Sequence, residues 1–279
     1  MTFREAIRRR IVLTGLLLGL SFLVIYSLGF HYINNQVRFA QKAAELEQSQ
    51  QAMTRIANTE VANTLLLAGL YAVTFLSIAM GALLAADTLA GEINSGVIQT
   101  IITKPIRRSD VVLGKWLGFA MLLGLYFLLI GGGTVLSVWV QCGYAPRNLA
   151  SGLGLIYMEA LLIMTISMAC SSAFSALATG GIVFGLYGLA FIGGWIEQFG
   201  AMIQNQTAVN IGIIASLIIP SETLWRRAAF EMQTPLTAAL GMSPFGTVSV
   251  PSPMMIVYTV TYLFSALAIA IRVFQRRDL

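Results

Sequence analysis

Charge is what this chain lacks most. Only 10% of its 279 residues are Lys, Arg, Asp or Glu, where a soluble domain carries about 25%. So few charges cannot cover a water-facing surface. With 57% hydrophobic residues, the chain must take lipid as its solvent. Histidine is almost missing too. His31 stands alone, so neither a His-x-x-x-His zinc pair nor a His-rich metal site can be assembled. The two cysteines, Cys142 and Cys170, make no disulfide framework and fall near opposite membrane faces in the span pattern below. The lysines Lys42, Lys104 and Lys115 precede Ala43, Pro105 and Trp116. None closes a Gly-x-x-x-x-Gly-Lys-Ser/Thr phosphate loop, which excludes ATP hydrolysis by that route. No Gly-x-Ser-x-Gly elbow occurs, and no nucleophile has a base beside it at helical spacing. The expectation is a non-enzyme with no catalytic residue, cofactor or metal.

What is present is apolar sequence in spanning lengths. About 20 apolar helical residues cross the hydrocarbon. Six stretches qualify, at about 11–31, 62–86, 111–140, 152–175, 179–199 and 254–274. They predict an all-α, polytopic integral membrane protein forming a single transmembrane domain over residues 1–279. The third stretch is longer than needed and is expected to tilt or to extend beyond the bilayer. The first, from Ile11 to Phe30, is read as a retained span, because it is long enough to cross and no small-x-small cleavage site follows.

Orientation follows from basic residues at span ends. With the N-terminus inside, the inner face holds Arg4, Arg8, Arg9, Arg10, Lys104, Arg107, Arg108, Lys115, Arg272, Arg276 and Arg277. The outer face holds Arg38, Lys42, Arg55, Arg147, Arg226 and Arg227. That distribution puts both termini in the cytoplasm. It also explains the net charge of +5 by lipid headgroups, with no nucleic acid involved. Trp116 then falls at an inner interface, and Trp139 and Trp195 at outer ones.

Two outer segments are expected, 32–61 and 201–253. The first has no Pro or Gly and many helix formers, so it should continue its flanking spans as helix. The second holds Pro220, Pro235, Pro244, Pro251 and Pro253. Within it, the apolar run from Ala208 to Ile219 reaches only about 18 Å as helix, too short to cross. A re-entrant or interfacial helix is expected there, turning back near Pro220.

Glycines recur in the spans as Gly15-x-x-x-Gly19, Gly131-Gly132-Gly133 and Gly181-x-x-x-Gly185. Such spacing lets helices approach closely in lipid, and packing within one subunit is the preferred reading. Ionisable groups inside a bilayer are functional candidates by default. Glu159 lies about two turns in from the outer end of the fourth span, and Asp87 and Glu197 lie at span ends. Glu159 is a candidate on the substrate path or a proton contact. The plainer alternative is a carboxylate hydrogen-bonded to a neighbouring helix, or one near enough the interface to be wet.

The segment joining the second and third spans is the most patterned. Leu89, Ile93, Val97 and Ile101 recur every fourth residue, with Ile98 and Ile102 beside them. Glu92, Asn94, Ser95 and Gln99 fall largely off that face, and Pro105 ends the run. Residues 88–103 thus predict an amphipathic helix on the cytoplasmic face, anchored to headgroups by Arg107, Arg108 and Lys115. An ordinary connecting loop is the alternative.

Here the chain resembles a known family. Glu92-x-x-x-Gly96, Lys104-Pro105-x-Arg107-Arg108 and Gly114-Lys115 opening an apolar run look like the permease subunits of type-2 ABC exporters. The basic start Phe3-Arg4-Glu5-Ala6-Ile7-Arg8-Arg9-Arg10, the six spans and the long loop before the last span are similar too. The resemblance implies a permease in a bacterial or archaeal plasma membrane. It would be paired with a second copy or a homologous permease and driven by two ATPase subunits. It also implies that helix 88–103 fits a cleft on the ATPase, with Leu89, Glu92, Ile93, Gly96, Pro105, Arg107 and Arg108 as coupling residues. Apolar, glycine-rich spans suit a lipid-like or amphipathic cargo. The competing reading is a secondary transporter or channel with Glu159 as its coupling residue.

Overall fold

The computed structural model describes residues 10–44, 51–86, 107–240 and 249–276, and among these it is all helix with no strand. The chain runs α1 Arg10–Ala44, α2 Gln51–Ala86, α3 Arg108–Cys142, α4 Leu149–Ser171, α5 Ala176–Met202, α6 Gln206–Ile218, α7 Ser221–Met232, α8 Pro235–Leu240 and α9 Met254–Arg276. Six of these, α1 to α5 and α9, are long and apolar enough to cross a membrane. Helix α3 has 35 residues, about 52 Å at 1.5 Å per residue, so it outruns the hydrocarbon. Helices α1 and α2 run on past their apolar windows into 38–44 and 51–55, a stretch free of Gly and Pro.

Side-chain contacts sort the helix ends. At one end, Arg108 Nη1 donates to the Gln275 carbonyl at 3.2 Å, and the Trp116 indole to Thr165 Oγ1 at 2.8 Å. The Ser167 hydroxyl there donates to the Ala82 carbonyl at 2.7 Å. At the other, Asn63 Nδ2 donates to the Tyr144 hydroxyl at 2.8 Å and the Met232 carbonyl at 2.9 Å. Cys142 and Cys170 sit at these opposite ends as free thiols.

Local chemistry sets the boundaries. Gly143 closes α3 in the left-handed conformation at φ 68°, its N–H bonded to the Trp139 carbonyl. Helix α4 ends at Ser171, short of the expected 175, because the chain turns there and Ser175 begins α5 by accepting from the Ala178 N–H. Gln204, at φ 56°, reverses the chain after α5. Asn205 then caps α6 through the N–H groups of Thr207 and Ala208.

The segment after α5 is a helical hairpin. Helices α6 and α7 meet at Ile219-Pro220 with a bend of 109°. Pro220 suits the break, since it cannot supply an amide hydrogen to continue α6. Helix α6 lies along α5, and α7 runs back along α4. Small residues make the first contact possible. A Cβ added at Gly193 would strike the Ala215 methyl, one at Gly200 the Ala208 methyl, and one at Gly212 the Glu197 side chain.

The sequence glycines divide in two. Gly15 packs on Met80, Gly19 on Ile130 and Gly133 on Leu23, all within the chain. A Cβ added at Gly181 or Gly185 would meet no atom of a neighbouring element within 4 Å among the described residues. One basic placement is also corrected. Lys115, expected as a headgroup anchor, is buried, because it already lies about two turns inside α3. Trp195 is half-buried and donates its indole N–H to the Tyr71 hydroxyl.

Candidate functional site

Glu159 is wholly buried, and neither carboxylate oxygen has a hydrogen-bond partner. It sits ten residues into α4, about 15 Å along the axis. The hydrogen bond to a neighbouring helix considered above is therefore not what holds it. What faces it comes from the hairpin. Glu222, in the first turn of α7, lies within electrostatic range of Glu159 and is itself 5% exposed. Its Oε2 also has no partner. Glu222 fits there because Gly194 on α5 has no side chain, and a Cβ at that position would collide with the Glu222 stem.

One turn along α7, Arg226 is 3% exposed. Its Nη1 stands 2.6 Å from Glu197 Oε1, and its Nη2 donates to Ser216 Oγ at 3.3 Å. The Ser249 hydroxyl donates to the same Glu197 oxygen at 2.8 Å. Arg226 was expected among outer headgroup cations. The hairpin buries it instead, because α7 packs against α4 and α5. Glu197 lies five residues before the end of α5 at Met202 and is likewise buried.

Aromatic rings gather near the two carboxylates. Tyr71 on α2 and Tyr187 on α5 each lie within electrostatic range of both Glu159 and Glu222. Tyr71 packs on Trp225 with centroids 4.7 Å apart and stacks on Phe191 at 6.3 Å. Tyr187 adjoins Phe191 at 6.4 Å and Phe75 at 6.3 Å. Helices α2, α4, α5 and α7 thus converge on one polar centre inside an apolar bundle.

Sequence reasoning singled out Glu159, noted Glu197 at a span end and missed the rest. Glu222 and Arg226 lay in a proline-rich segment read as outer loop. The available signal was Pro220-Ser221-Glu222-Thr223 ahead of Leu224 and Trp225, a helix-start pattern. Tyr71 and Tyr187 carried no sequence mark. Of the expected coupling residues, Leu89, Glu92, Ile93, Gly96 and Pro105 lie outside the described residues, as does helix 88–103. Arg107 is exposed and precedes α3, and Arg108 ties α3 to the end of α9.

An outer layer holds the hairpin's exit. Thr234 caps α8, its hydroxyl accepting from the Thr237 N–H and donating to Glu60 Oε2 at 2.6 Å. The Thr237 hydroxyl also bonds Glu60. Beside it a cleft of about 440 Å³ is lined by Tyr144, Arg147, Asn148, Glu231 and Thr234 among others.

Six spanning helices around a buried polar centre define a multi-pass membrane protein. Among known families, the chain matches the one described as ABC-2 family transporter protein over residues 2–279. It belongs to that family and is a membrane component of an ABC-2 transporter. Membrane domains of this kind typically lack ATPase activity themselves and imply an ATPase partner. No curated protein matches the chain.

Proposed function

We propose that this chain is the permease subunit of an ATP-driven exporter that moves a lipid-like or amphipathic molecule, with separate ATPase subunits supplying the energy. The observation that carries this reading is the family match from residue 2 to residue 279, in a sequence without a phosphate loop. In this reading two permeases and two ATPases form the working complex in a bacterial or archaeal plasma membrane. Both termini are cytoplasmic, and residues 32–61 and 201–253 lie outside. Residues 88–103 pass the ATPase motion to the spans, with Glu92 as a polar contact and Gly96 permitting close approach. Closure of the ATPases must favour one of two permease states, because a ligand shifts an equilibrium only by its differential affinity.

The test is purification of the tagged chain from native membranes. An ATPase should come with it, and reconstituted vesicles should transport a fluorescent amphiphile only when ATP is supplied. Glu92→Gln should uncouple turnover from transport while the ATPase stays bound; normal transport would remove Glu92 from the mechanism. Cysteines at Gln48 and Gln233 should react with an impermeant reagent in intact cells, and protection of either would reject the topology. The burial of Glu159 favours a second reading, a secondary transporter coupled through that carboxylate. Transport that persists without ATP and follows an ion gradient would select it.

A further inference from the structure

We propose that Glu159 and Glu222, with Tyr71 and Tyr187 near them, form the binding site for the cationic head of an amphipathic cargo. This rests on the permease reading and assigns the charge of what is moved.

Charge balance is the first argument. Glu159, Glu197 and Glu222 are buried, and the buried guanidinium of Arg226 stands beside Glu197. Arg226 pairs with Glu197 and donates to Ser216, while its Nε has no hydrogen-bond partner. It also lies in range of Glu222, and Glu159 has no basic partner among the described residues. Both oxygens of Glu159 and one of Glu222 have no hydrogen-bond partner. Burying an isolated carboxylate is among the costliest arrangements a protein can hold. Such a group is stabilised either by a bound proton or by an incoming cation.

The surroundings decide which kind of cation. Among the described residues no three acidic, histidine or cysteine side chains converge on a metal position. Instead Tyr71 and Tyr187 lie within electrostatic range of the carboxylates and carry a ring cluster of Trp225, Phe191 and Phe75. Carboxylates near aromatic rings recognise organic ammonium and phosphonium groups, whose low hydration lets rings replace water. A divalent ion would demand more oxygen ligands at closer range.

The centre is sealed in this conformation, with Glu159 fully covered. Access requires α7 to move from α4 or α5. It is placed to do so on a hairpin with its break at Ile219-Pro220. A carboxyl group serving only to pack α7 against α5 would account for the Glu222 stem on Gly194. It would not account for a second unpartnered carboxylate on α4 facing it.

The test uses the permease purified with its ATPase. Tetraphenylphosphonium is the probe, and tetraphenylborate, the same shape with opposite charge, is the control. Saturable binding of the phosphonium is expected, with little binding of the borate. Glu159→Gln and Glu222→Gln should each weaken it roughly tenfold or more, since each removes one partner of a buried charge contact. Glu231→Gln, in the outer layer, should not change it. Tyr187→Phe keeps the ring and should weaken it less, which covers the case in which a Gln variant fails to assemble. No saturable phosphonium binding, equal binding of the borate, or insensitivity to the Gln variants would overturn the proposal. Displacement by excess sodium would do so as well, since it would make the site one for inorganic cations. Failure of the permease reading looks different: no ATPase would co-purify. A complex that hydrolyses ATP yet ignores the phosphonium would reject the cation site alone.

Discussion

Arg226 and Arg227 are neighbours in sequence and have opposite surroundings. Arg226 pairs with Glu197 across two helices, with side chains 4% and 6% exposed. Arg227 pairs with Glu231 one turn along α7, at 21% each, and lies over the Phe230 ring at 5.4 Å. Glu231 is also bonded by Asn148 at 2.8 Å. The two ion pairs have nearly the same length, 2.6 and 2.8 Å. Distance therefore says little about what each contributes. Burial decides, because water screens the outer pair and has been stripped from the inner one. The inner arginine belongs to a polar centre on which four helices depend, and the outer one is a surface contact within one helix.

The largest effect should follow from removing one half of the inner pair. Arg226→Ala leaves Glu197 buried without its cation and should cost about 3–5 kcal/mol. The readout is the midpoint of thermal unfolding of the detergent-solubilised protein, followed by tryptophan fluorescence. Replacing both Arg226 and Glu197 by Met should recover much of that loss. A double variant as unstable as the single one would mean the site needs the charges themselves.

Next comes the contact that positions this pair. Gly212→Leu would press a side chain into the Glu197 stem and the Gly193 carbonyl on α5. Overpacking of this kind costs about 1–3 kcal/mol. Gly185→Leu, where an added Cβ would meet no neighbouring element among the described residues, should leave the single subunit unchanged in the same assay. If Gly185→Leu instead splits the purified complex by size-exclusion chromatography, that face is a subunit contact.

A smaller change, and a gain, is expected at the turn before the hairpin. Gln204 occupies the left-handed region at φ 56°. Gln204→Gly should relieve about 1 kcal/mol of backbone strain, read as a raised unfolding midpoint. The smallest effect belongs to the outer pair. Arg227→Ala should cost about 0.3–0.5 kcal/mol, as for an exposed i,i+4 pair, and less still in high salt. A loss equal to that of Arg226→Ala would break the comparison between the two arginines.

Much of the bundle was legible beforehand for a simple reason. Lipid excludes charge over whole helix lengths, so a span announces itself through some 20 consecutive residues. The short apolar run before Pro220 was legible in the same way, as a helix too short to cross. The polar centre was not, because its members come from residues 71, 159, 187 and 222 and no local pattern joins them. Glu159 stood out only because its apolar neighbours made one carboxylate conspicuous. Glu222 and Arg226 hid among other polar residues of a segment whose composition suggests water.

The sequence by itself determined the solvent, the all-helical class, the six spans and the absence of a phosphate loop, since each depends on composition or on residues close in the chain. Only the tertiary structure decided which charges face water. Helix α7 has the composition of a surface helix, yet α4 and α5 enclose Ser221, Glu222, Trp225 and Arg226. That enclosure depends on a bend of 109° at Ile219-Pro220 and on glycines at 193, 194 and 212. Those glycines let the hairpin lie close enough to displace water, and once water is displaced, an ordinary glutamate becomes a site that must find a partner.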